Sequence, residues 1–89
     1  MTSPRTYQRQ IFVKAIQFDG SLASANAIKW WVERLRPSEM IEIDIDDSHI
    51  WLEDLSIYIF TGTWLVFDQD GLFAAFSDNK FRELFQEVN

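Results

Sequence analysis

Cysteine is absent from this 89-residue chain, which excludes a disulfide framework, a thiol nucleophile and a cysteine-ligated zinc site. Three glycines and two prolines are too few for a fibrous repeat, a low-complexity segment or a glycine-rich phosphate cradle. A single histidine, His49, leaves no paired-imidazole arrangement, and no G-x-S-x-G elbow surrounds any serine. Residues 37–79 hold ten acids and not one lysine or arginine. No apolar run is long enough to span a bilayer, and MTSPRTYQRQ has no apolar core of a secretory leader. Secreted domains of this size commonly rely on disulfides, so the expected setting is the reducing cytoplasm.

What the chain does have is apolar and aromatic bulk. Apolar residues make up 47% and aromatics 16%, with eight Phe, four Trp and two Tyr. That is enough to bury a core and too apolar for disorder. Fourteen acids against eight Lys and Arg give a net charge of −6. This balance disfavours nonspecific contact with nucleic acid or an anionic membrane. The acids crowd the middle of the chain, and the first 36 residues are mildly basic.

The elements read in order. Residues 1–9 are polar and suggest a flexible arm ahead of one domain over 10–89. Ile11–Phe18 is apolar on both faces and predicts a central strand, ended by Asp19-Gly20. Ser24–Arg36 predicts a helix with Ser24 as N-cap and Ile28, Trp31, Val32 and Leu35 on one face. Trp30 falls off that stripe, one turn from Arg34. Pro37 stops the helix. Ile41, Ile43 and Ile45 alternate with Glu42, Asp44 and Asp46, which predicts a strand that turns near Asp46-Asp47-Ser48. Strands over His49–Glu53 and Ser56–Phe60 follow. Asp68-Gln69-Asp70-Gly71 predicts a hairpin turn between Trp64–Phe67 and Leu72–Phe76. Ser77 caps a closing helix whose Phe81, Leu84, Phe85 and Val88 share a face. The expected fold is α+β, order β-α-β-β-β-β-β-α, with two helices and a twisted antiparallel sheet of five to six strands.

Three groupings could carry chemistry. Glu42, Asp44 and Asp46 lie on one strand face, about 6.6–6.8 Å apart along it. They form a solvated charged edge, a hard-cation site or a surface for a basic partner. His49 beside Asp47 and Ser48 lacks the partners of a catalytic triad and reads as a turn residue. Of the four tryptophans, Trp30 and Trp51 fall where a ring stays partly exposed and can anchor an interface.

The run Ala15-Ile16-Gln17-Phe18-x-Gly20, then Gly62-x-Trp64-Leu65-Val66, Gly71-x-Phe73, and Phe81 and Phe85 in a closing helix, resembles a family of small bacteriophage-encoded proteins. Their pattern is A-x-Q-W/F-x-G, then G-D-W/Y-x-V/I, G-x-F/Y and a Phe-containing helix. The match spans residues 10–88, with Thr63 where the family often has Asp. The resemblance implies a virus-encoded accessory protein acting inside a bacterium, and it brings no catalytic residues.

The expectation is therefore a non-enzymatic protein that docks on a host bacterial protein in the cytoplasm, at a surface that normally meets nucleic acid. Glu42, Asp44, Asp46 and Asp47 would steer it and Trp30 or Trp51 would anchor it. No cofactor, metal, membrane or direct nucleic-acid contact is expected, and a homodimer stays open. The alternatives are a small-ligand or divalent-metal module and a self-assembling virion component.

Overall fold

The alternation of apolar residues along the middle of the chain builds three short strands joined by tight turns. In the structure, a computed structural model that describes residues 12–85, these are β2 (Ile41–Asp44), β3 (His49–Leu52) and β4 (Ile57–Phe60). They pair antiparallel in that order, with Ile43 opposite Ile50 and Ile50 opposite Ile59. Both turns end on a serine in the left-handed region, Ser48 at φ 52° and Ser56 at φ 54°. Each closes with a backbone hydrogen bond, Ser48 N–H to the Ile45 carbonyl at 3.2 Å and Ser56 N–H to the Glu53 carbonyl at 3.1 Å.

A second three-stranded antiparallel sheet has the order β1-β5-β6, from β1 (Val13–Gln17), β5 (Trp64–Asp68) and β6 (Phe73–Phe76). The β5–β6 hairpin turns at Asp68–Gly71, where Asp68 Oδ1 accepts the N–H groups of Asp70 and Leu72 and Gly71 takes φ 85°. The order β-α-β-β-β-β-β-α and the α+β class match the sequence expectation, with the six strands divided between two sheets.

One position differs. β1 was expected to be central, but among the described residues it is the edge of its sheet, paired only to β5. Its two apolar faces have another cause. Helix α1 (Leu22–Leu35) stands over one face of this sheet, where Trp31 meets Phe67 and Phe73 edge-on at 6.3 and 5.6 Å. Helix α2 (Asp78–Leu84) covers the other, where Phe81 stacks on Trp64 at 4.1 Å and Phe85 meets Phe76 at 5.7 Å. The strand is apolar on both sides because a helix lies on each.

The start of α1 is also earlier than expected. Ser21, not Ser24, is the N-cap: its backbone is extended and its hydroxyl accepts the Ser24 N–H at 3.1 Å. Ser24 sits three residues on, in the position that reaches back in a capping box. Its hydroxyl donates to Asp19 Oδ1 at 2.7 Å. The Ser21 hydroxyl, the Ser24 hydroxyl and the Ser21 N–H together hold the Asp19 carboxyl at about 2, below its ordinary 3.8. The Ser77 cap of α2 stands where the sequence placed it, accepting the Lys80 N–H at 3.3 Å. That helix ends at Leu84. The expected arm over 1–9, and Ile11 and Val88, lie outside the described residues.

The core forms where the aliphatic face of β2-β3-β4 meets α1 and the sheet β1-β5-β6. Phe18, Ala25, Ile28, Val32, Ile50, Leu52, Ile59 and Leu65 are fully buried in one cluster. Each large aliphatic side chain there contributes about 1.5–3 kcal/mol by leaving water. Glu39 is buried beside this core. Its Oε1 accepts the Leu55 N–H at 3.2 Å, which ties the β3–β4 turn to the segment after α1. Its Oε2 faces Arg36 Nε at 3.9 Å and accepts no hydrogen bond among the described residues.

Candidate functional site

Strand period fixes the two faces of β2-β3-β4. Ile41, Ile43, Ile50, Leu52, Ile57 and Ile59 point to the core, so the residues between them share the outer face. Across the sheet, Glu42 stands opposite Trp51 and Trp51 opposite Tyr58; Asp44 stands opposite His49 and His49 opposite Phe60. The outer face is thus acidic along β2 and aromatic along β3 and β4. The rings form a continuous array. Trp51 stacks on Tyr58 at 4.2 Å, and Tyr58 is stacked with Phe60 at 5.8 Å. His49 meets Tyr58 edge-on at 5.7 Å and Phe60 at 6.2 Å. Tyr58 and Phe60 remain 52% and 53% exposed.

The β2–β3 turn closes the acidic end. Asp44 Oδ1 accepts the Asp47 N–H at 3.0 Å, an Asx-type closure that sets Asp46 and Asp47 on the exposed rim. A shallow open depression of about 510 Å³ is bounded there by Glu42, Asp44, Asp46 and His49. One donor atom from each of Asp44, Asp47 and His49 lies within 4.8 Å of the others. Two carboxylates and an imidazole suit a borderline cation, but the turn itself already accounts for their proximity.

Of the six residues expected to bind a partner, the structure brings five to this region. Glu42, Asp44 and Trp51 lie on the face, and Asp46 and Asp47 at its turn. Trp30 is not among them. It is 67% exposed on α1, which joins the core that the opposite, aliphatic face of the sheet covers. The helical stripe left it off the core but said nothing about which side of the molecule it faces. Tyr58 and Phe60 were missed as site residues. Their signal was present in Ile57-Tyr58-Ile59-Phe60, where an aromatic alternates with a buried isoleucine.

Comparison with protein-family models, with curated proteins and with solved structures finds no match. No helix among the described residues is long and apolar enough to cross a membrane.

Proposed function

We propose that this chain is a non-enzymatic binding domain that docks a basic surface of a partner protein on the outer face of β2-β3-β4. The observation that carries this reading is the stacked array of Trp51, Tyr58 and Phe60, the last two more than half exposed, set directly beside Glu42 and Asp44. Both halves of that face favour the same partner. Ring faces attract lysine and arginine side chains through their quadrupoles, and carboxylates attract them by charge. The run of acids without an intervening base would steer encounter, and the rings would hold the complex once formed. In the setting that the phage resemblance implies, the partner is a host bacterial protein in the cytoplasm, met at a basic patch that otherwise faces nucleic acid.

The test is affinity capture from bacterial lysate with wild type, with Asp44→Lys/Asp46→Lys and with Trp51→Ala, followed by kinetics on the captured protein. The reading predicts one dominant protein, slower association in the charge-reversed variant, faster dissociation in Trp51→Ala, and weakening with salt. Salt-insensitive association would overturn it. A melting temperature raised by zinc or manganese, and no longer raised in Asp47→Asn, would move the reading to a metal-binding module.

A further inference from the structure

Six lysines and arginines lie among the described residues, and four of them face acids. Lys29 pairs with Glu33, Arg36 with Glu39, Lys80 with Glu83 and Arg82 with Asp78. Lys14 and Arg34 pair with none among the described residues, and both line one groove of about 480 Å³. In a chain of net charge −6, the two cations without an acidic partner among the described residues therefore converge on a single surface feature.

The backbone explains the convergence. Lys14 stands opposite Phe67 across β1 and β5, so their side chains share a face. Trp31 stands over that face, edge-on to Phe67. Arg34 and Leu35 follow Trp31 by three and four residues, so they emerge from α1 on the same side one turn later. Phe12, just ahead of β1, completes the wall. Phe12 and Leu35 stay substantially exposed here. The one carboxylate that lines the groove among the described residues, Asp68, has its Oδ1 committed to the N–H groups of Asp70 and Leu72.

We propose that this groove binds a small amphipathic carboxylate, its apolar body against Phe12, Trp31, Leu35 and Phe67 and its anionic head between Lys14 and Arg34. The volume falls in the range of small-molecule sites. Apolar surface attracts the body, and two unpaired cations select the sign of the head. This site lies apart from the outer face of β2-β3-β4 and carries the opposite charge.

The experiment titrates decanoate, below its micellar concentration, into the full chain and follows the tryptophan indole resonances by NMR. The expected result is a saturable shift of the Trp31 indole with the Trp51 indole unmoved. Lys14→Gln/Arg34→Gln should weaken this binding about tenfold or more, the loss of a charge-assisted contact. Both residues are exposed and have no ion pair among the described residues, so the variant should melt as wild type does; the single variants, each with a smaller loss, repeat the test if it does not. Decyltrimethylammonium, of matching chain length, should leave Trp31 unshifted. No saturable shift, equal affinity in the double variant, or the same Trp31 shift with the cationic amphiphile would each overturn the proposal. A Trp31 shift that grows with protein concentration alone would also overturn it, because a second copy would then fill the groove.

Discussion

The two sheets are built from similar residues and use them differently. In β1-β5-β6 the large rings are covered: Trp64 lies under Phe81, Phe76 against Phe85, and Phe67 and Phe73 against Trp31. In β2-β3-β4 the rings Trp51, Tyr58 and Phe60 stack on one another, and among the described residues Tyr58 and Phe60 stay more than half exposed. Polar groups follow the same division. Over the covered sheet, Asp78 at the start of α2 accepts from Trp64 Nε1 at 2.9 Å, from Arg82 Nε at 3.0 Å and from Gln17 Nε2 at 3.4 Å. On the open sheet Glu42 makes no such bonds among the described residues and stays exposed. An aromatic cluster with a helix over it is architecture. The same cluster left bare beside carboxylates has no partner within the described fold, and that difference directs attention to it.

The contrast can be broken by mutation. Trp64→Ala should cost about 3 kcal/mol in urea unfolding, because it opens a void beneath α2 and strips Asp78 of its first partner. Trp51→Ala should cost about 1 kcal/mol or less, the worth of a cross-strand ring pair, while speeding dissociation of the partner. Equal losses of stability would show that the open array is structural after all. Asp78→Ala comes next. The Trp64 indole and the Arg82 guanidinium hold the Asp78 carboxyl below its ordinary value, and hydrogen bonds from Ser21 and Ser24 hold Asp19 at about 2. Both contributions are complete above the ordinary carboxylate value of 3.8 and fade as the pH falls through the lowered ones. Wild type should therefore lose melting temperature from pH 4 towards pH 2, and Asp19→Ala and Asp78→Ala should each flatten that loss. Ser56→Gly should have the smallest effect, a gain of less than about 1 kcal/mol on denaturant unfolding. It removes a left-handed non-glycine residue, and the extra freedom of glycine in the unfolded chain offsets part of the gain.

Local pattern made most elements legible. The alternation around Ile41, Ile43, Ile50 and Ile59 gave the strands, Asp-Gly gave the β5–β6 turn and Ser77 gave its cap, since each depends on near neighbours only. The partition into two sheets depends on pairings between distant segments, which no local window contains. The same limit hid the edge position of β1: apolar faces report coverage, not neighbours. Ser24 reads as a cap because it precedes the apolar stripe, whereas the turn at Gly20, with φ 88°, frees Ser21 to cap first. At the candidate site, the acids and Trp51 were readable from period two. Period two also put Tyr58 and Phe60 on a face away from the isoleucines, but placing them beside Trp51 and His49 required the register with β3, and the separation of Trp30 required the packing of α1.

The short turns at Ser48 and Ser56 also set a timetable. They let β2, β3 and β4 pair through loops of a few residues, whereas β1 must find β5 across most of the chain, Val13 meeting Asp68. Closing a short loop costs less chain entropy than closing a long one, so the meander is expected to order in the folding transition state before β1 docks. The φ-values of Ile50→Ala and Ile59→Ala should then exceed that of Ile16→Ala. A nascent chain that has emerged through Phe60 would already hold the whole acidic and aromatic face, ahead of the strand that completes the fold.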